Sequence, residues 1–150
     1  MNHYWEVTKH RAWVLWYTLV FCRKLIIRAL KHDLSKFSKK EAPYFIENTP
    51  KLKTLTYGSE EYKKCLEDLK PALKNHYYKN SHHPEYYVDG FKNMSALDRI
   101  EMVFDWLAAT KRTNGGDITK SLEVNEKRFN YTEKDTEWLI AIIRDVKKIE

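Results

Sequence analysis

Three times in this 150-residue chain a Ser or Thr stands three positions before an acidic residue and a stretch of helical periodicity follows: Ser38 with Glu41, Ser95 with Asp98, and Thr132 with Asp135. In that spacing the hydroxyl accepts the acid's backbone N–H while the carboxylate accepts the N–H of the hydroxyl residue, which satisfies two orphan donors of a helix start at once. No run of alternating polar and apolar residues is long enough to make a strand. The device therefore commits the chain to helix. The expected class is all-α: one domain over 1–150, a bundle of about six helices.

Period and punctuation set the expected boundaries. A first helix covers about Tyr4 to Leu30, is apolar on most sides, and is expected to be the centre around which the others pack. The Ser38–Glu41 box opens a short second helix that should stop near Asn48, because Pro50 disfavours helical geometry in the residue before it. Ser59 with Glu60 and Glu61 starts a third, expected to kink at Pro71 and to reach about Lys79. Further helices are expected from Ser95 to about Lys111, ended by Asn114-Gly115-Gly116, from Ile118 to Phe129, and from Thr132 to about Lys147.

Composition narrows the class further. Four Gly and four Pro spread over the whole length leave no low-complexity linker. Cys22 and Cys65 lack a CxxC or CxxH neighbour, so reduced core thiols are expected rather than a disulfide framework or zinc finger. The most apolar stretch, Ala12 to Cys22, is shorter than the roughly 20 residues a membrane span requires, and it is bounded by Arg11 and by Arg23 with Lys24. No membrane association and a cytoplasmic location are expected, since the first residues also lack the order of a signal peptide. A net charge of +6 favours an anionic partner. The lysines are scattered rather than gathered on one helix, so a phosphorylated small molecule fits better than nucleic acid.

Three groups of residues carry chemistry. His32-Asp33-Leu34-Ser35-Lys36 offers an imidazole and a carboxylate, complementary ligands for a divalent cation, with Lys36 three residues after Asp33 and placed to neutralise a phosphate oxygen. Asp98, Glu101 and Asp105 follow i, i+3, i+7 spacing on one helical stripe. Leu97, Phe104 and Ala108 flank the stripe on one side and Met102 and Trp106 on the other, so it is not simply the wet face. Carboxylates so placed need a cation or strong donors; salt bridges to Arg or Lys are the alternative. His76, Asn80, His82 and His83 bring three imidazoles and an amide within eight residues. His10 shares a stripe of the first helix with Val14, Tyr17 and Phe21, where a hydrogen-bonded core role is the plainer reading. Glu41 is at minimum the capping partner of Ser38, with a role as an acid behind the metal ligands as the alternative.

In order, His10, His32-Asp33, the His76 to His83 cluster and Asp105 resemble the H…HD…H…D ligand series of the HD superfamily. HDLSK is also similar to the HDxxK form of HD-type phosphodiesterases, with Ser35 where glycine is frequent. More narrowly, HDLSKFS, NSHHPEYY and EMVFDW resemble a family of small, uncharacterised bacterial and phage proteins. The resemblance implies an HD-like bundle in which His10, His32, Asp33 and Asp105 ligate one divalent metal (Mn, Mg, Fe, Co or Zn). His76, Asn80, His82, His83, Asp98 and Glu41 would serve a second metal or the substrate. Asp98 rivals Asp105 as the last ligand. Asp33, Lys36 and Glu101 are the expected catalytic groups of a phosphohydrolase acting on a nucleotide or related phosphoester. Two alternatives stand beside it: a non-catalytic binder of a nucleotide or host factor, and a two-iron oxygenase.

Overall fold

The computed structural model describes residues 2–55, 59–111 and 116–148. Among them are six α-helices and no strand: α1 (His3–Lys31), α2 (Ala42–Thr54), α3 (Glu60–Lys79), α4 (Ala96–Lys111), α5 (Ile118–Phe129) and α6 (Glu133–Lys147). Short 3₁₀ turns occupy Leu34–Phe37, Pro84–Tyr86 and Gly90–Asn93. The all-helical reading therefore holds. No helix among the described residues is long and apolar enough to cross a membrane.

The chain divides into two compact units, the first ending at His32 and the second running from Asp33 onwards. The first unit is α1, whose N-terminus is capped by the Asn2 side chain accepting the Tyr4 N–H at 3.1 Å. None of its residues is buried. The reason is visible in the pattern. Its large side chains project all round the helix rather than along one stripe, and Trp13, Trp16 and Tyr17 are each more than half exposed.

The hydrophobic core belongs to the second unit. Met102 and Val103 of α4, Ile118 and Leu122 of α5 and Leu139 and Ile143 of α6 pack together with Phe91, Met94 and Tyr131. The capping boxes at Ser95 and Thr132 start α4 and α6 as expected. Asp98 N–H meets Ser95 Oγ at 3.2 Å, and the Ser95 N–H meets Asp98 Oδ2 at 3.1 Å; Thr132 and Asp135 make the same reciprocal pair. Ser59 caps α3 through the Tyr62 N–H. Asn130 ends α5 in the left-handed region at φ 52°, which asparagine tolerates better than most residues.

One helix end differs from expectation: α2 continues through Pro50 to Thr54, whereas α3 reaches Lys79 as expected, with Pro71 inside it. A proline removes one ladder bond from a helix, and on a partly exposed helix water can satisfy the carbonyl so freed. The Asn114-Gly115 stop expected after α4 lies outside the described residues.

Candidate metal centre

α3 ends in His76 and Asn80, and the chain then turns at Ser81-His82-His83 before Pro84 opens a 3₁₀ turn. At the other edge of this region, Asp33 begins the second unit in the left-handed conformation, φ 58° and ψ 12°. That conformation is sparsely populated for any residue with a side chain, and aspartate is among the few that tolerate it. It turns the Asp33 carboxylate towards α3.

The result is a tight cluster. Asp33 Oδ1 lies 3.2 Å from His76 Nε2 and 3.5 Å from His82 Nε2, and His76 Nε2 lies 2.9 Å from His83 Nε2. Ligand atoms of all four residues fall within 4.8 Å of one another. Donors at about 2.0–2.1 Å from one cation are separated by about 3.3 Å in a tetrahedron and about 2.9 Å at right angles, so the spacings fit a common ion. Nitrogen and carboxylate oxygen together suit zinc, iron, cobalt or manganese better than calcium.

Two of the rings are held from behind by acids. His76 Nδ1 meets Glu41 Oε2 at 3.0 Å, and His82 Nδ1 meets Glu101 Oε1 at 3.2 Å. A carboxylate on Nδ1 fixes the proton there and leaves Nε2 with its lone pair facing the cluster, the usual arrangement behind a metal-ligating histidine. Glu41 is fully buried. It also accepts from Ser35 Oγ at 3.0 Å and from Asn75 Nδ2 at 2.5 Å. Burial alone would raise the Asp33 carboxyl, but hydrogen bonds with His76, His82 and Lys36 outweigh it and hold the group well below the usual carboxylate range. Burial, reinforced by the charges His82 and His76 acquire on protonation, pushes the His83 imidazole down to about 3, so it is neutral and able to ligate at physiological pH.

Lys36 contacts Asp33 Oδ2 at 2.6 Å and lies over the Phe45 ring, which leaves Oδ1 for the histidines. Asn80 Nδ2 donates to Ser35 Oγ at 2.8 Å and to the His76 carbonyl at 2.7 Å, tying the end of α3 to the turn after Asp33. Asp98 is buried in a cage of hydroxyls: Ser81 Oγ and Tyr87 OH donate to it at 2.7 Å each, and Ser95 adds its N–H and its hydroxyl. The cage anchors the turn that carries His82 and His83.

The expected residues are redistributed accordingly. His76, His82 and His83, expected around a second ion, form the first cluster with Asp33. Asp98 stands outside that cluster, its carboxylate accepting from hydroxyl donors. Glu101 acts on His82 rather than standing in the cluster. Asp105 offers a ligand atom within 4.8 Å of one from His82, and its charge is felt by His83. Glu41 makes no side-chain cap to α2; its carboxylate meets His76 Nδ1 instead. His10 cannot join the ion proposed for His32: His10 lies within unbroken α1 and His32 is its C-cap, twenty-two residues on, which at 1.5 Å per residue is about 33 Å. His32 itself is the C-cap of α1 and closes the first unit. Ser35, Asn75 and Tyr87 were not singled out as site residues from the sequence. Of these, Ser35 lies inside HDLSK and Tyr87 closes NSHHPEYY, whereas Asn75 belongs to neither phrase.

No curated protein and no solved structure matches the chain. The profile described as "Family of unknown function (DUF5662)" matches residues 1–149, nearly the full length, and the chain therefore belongs to that family.

Proposed function

We propose that the protein is a metal-dependent phosphohydrolase whose divalent ion is held by Asp33, His76, His82 and His83, and whose substrate is a nucleotide or related small phosphoester. The observation that carries the reading is the convergence of those four ligand atoms with Glu41 and Glu101 fixing two of the imidazoles from behind. The similarity of HDLSK and the ordered histidines to the HD superfamily supports the reaction class, and the net charge of +6 suits an anionic substrate.

A divalent ion in this setting supplies Lewis acidity towards a phosphoryl group. The protein's own groups do the rest. Asp33 provides the one anionic ligand, the neutral rings complete the donor set, and Lys36 is placed to exchange part of its contact with Asp33 for a phosphate oxygen. Asp105, close to His82, is the acid available to take a proton at the edge of the cluster.

Metal analysis of the purified chain, thermal melts with Mn²⁺ or Co²⁺, and a phosphoester panel on wild type and Asp33→Ala test the proposal. Bound metal, a raised melting temperature and hydrolysis lost in the variant are expected. A chain that holds no metal, gains no stability from added ions and turns over no phosphoester would overturn it. Metal with no turnover would leave a binding protein, and iron with an optical band and oxygen consumption would identify an oxygenase.

A further inference from the structure

Beside the cluster, on the flank of α3, lies a pocket of about 530 Å³ lined by Pro71, Lys74, Asn75, Tyr77, Tyr78, Glu85 and Tyr86. That volume falls within the range of small-molecule sites, about 300–1,000 Å³. Two of its walls are shared with the candidate metal centre. Tyr77 sets its ring 4.9 Å from that of His83, and Asn75 donates to Glu41, the residue that fixes His76. The opposite side is braced. Arg128 pairs with Glu85, which ties that wall to α5. At the mouth, Tyr78 and Tyr86 are 81% and 47% exposed, an arrangement that leaves two large flat rings in water.

We infer that this pocket seats a planar aromatic ring of the substrate, a nucleobase or an aryl group, while the phosphoryl end lies at His83 and Asp33. Three tyrosines offer flat faces for stacking with hydroxyls to meet polar ring edges, and Lys74 adds a cation that attracts a ring face or an edge acceptor. An aliphatic ligand would gain little from such a lining. The assignment of the phosphoryl end rests on the hydrolase reading; ring binding does not.

The test uses the full chain and two variants, Tyr78→Ala and Tyr86→Ala, at exposed positions outside the core. Ring binding is read by calorimetry or NMR with adenosine and with phenol, neither of which needs metal or turnover. Turnover is read on the Mn²⁺-loaded chain with adenosine monophosphate, phenyl phosphate and ribose 5-phosphate. Wild type should bind at least one of the ring probes, and each alanine variant should weaken that binding by roughly tenfold, the scale of one lost stacking partner. The KM for the ring-bearing ester should rise by a similar factor with kcat nearly unchanged, while ribose 5-phosphate should show no difference between wild type and variants. Preference for adenosine over phenol assigns a nucleobase, and the reverse an aryl group. Ring binding lost in the variants with no ester hydrolysed by any form sustains the pocket and sinks only the hydrolase. Failure of wild type to bind either ring probe, or equal binding by wild type and variants, overturns the inference.

Discussion

Replacing Glu41 separates a residue that tunes a metal ligand from one that merely fills space. Its carboxylate accepts bonds from Asn75, Ser35 and His76 while fully buried. Glu41→Ala removes three hydrogen bonds to a buried charge; at about 1–1.5 kcal/mol net for each, the metal-free protein should lose about 3–5 kcal/mol once the cavity is included. Glu41→Gln keeps the volume and can still accept from His76, so its loss should be nearer 1 kcal/mol. Yet the amide carries no charge to polarise the imidazole. Removing such a partner costs about 10–100-fold in metal affinity, or about 1.4–2.7 kcal/mol. Titration of Mn²⁺ or Zn²⁺ into the folded glutamine variant, beside a urea melt of each form, reads the two effects separately. An affinity equal to wild type in Glu41→Gln would refute the reasoning, because it would reduce Glu41 to a structural acceptor.

Other outcomes follow from the same geometry. In metal-free protein, His83 is pushed down to about 3 from an ordinary value of 6.5, so the unfolded chain binds the extra proton and stability should fall as pH drops from 6.5 towards 3. Urea melts at pH 7 and pH 5 check it, and His83→Gln should shrink the difference. The depressed Asp33 carboxyl adds stability that is present above its ordinary value of 3.8 and lost only at still lower pH. Tyr87→Phe deletes one donor to buried Asp98 and should cost about 1–2 kcal/mol, with metal affinity falling only a few-fold, as calorimetry on the variant would show. Leu139→Ala, at a position with 0% exposure in the core, should cost about 2–5 kcal/mol in a denaturant melt and leave metal affinity at folding conditions unchanged.

The helices were legible because their signals are local. Ser59, Ser95 and Thr132 announce helix starts through bonds that reach only three residues, and α3, α4 and α6 begin where those bonds place them. The same local logic misread Glu41: its spacing from Ser38 fits a capping box, but burial against α3 gave the carboxylate to His76 instead. Pro50 misled for a similar reason, since a helix can carry a proline when the freed carbonyl has water within reach. His10 was drawn in by the order of residues along a motif, and order carries no distance. The crowding of His76, His82 and His83 was legible in the sequence as a place of high ligand density. Its pairing with Asp33 spans forty-three residues of sequence and depends on tertiary packing, which no periodicity records.

The hydroxyl cage around Asp98 bears on how an ion would arrive. Because Ser81, Tyr87 and Ser95 already fix the segment carrying two imidazoles, no disordered loop has to be gathered when a cation enters. Capture would then be an encounter with a finished receptor: the chain should stay folded after chelation, and the gain in melting temperature should follow mass action alone, unlike small zinc domains that collapse when stripped.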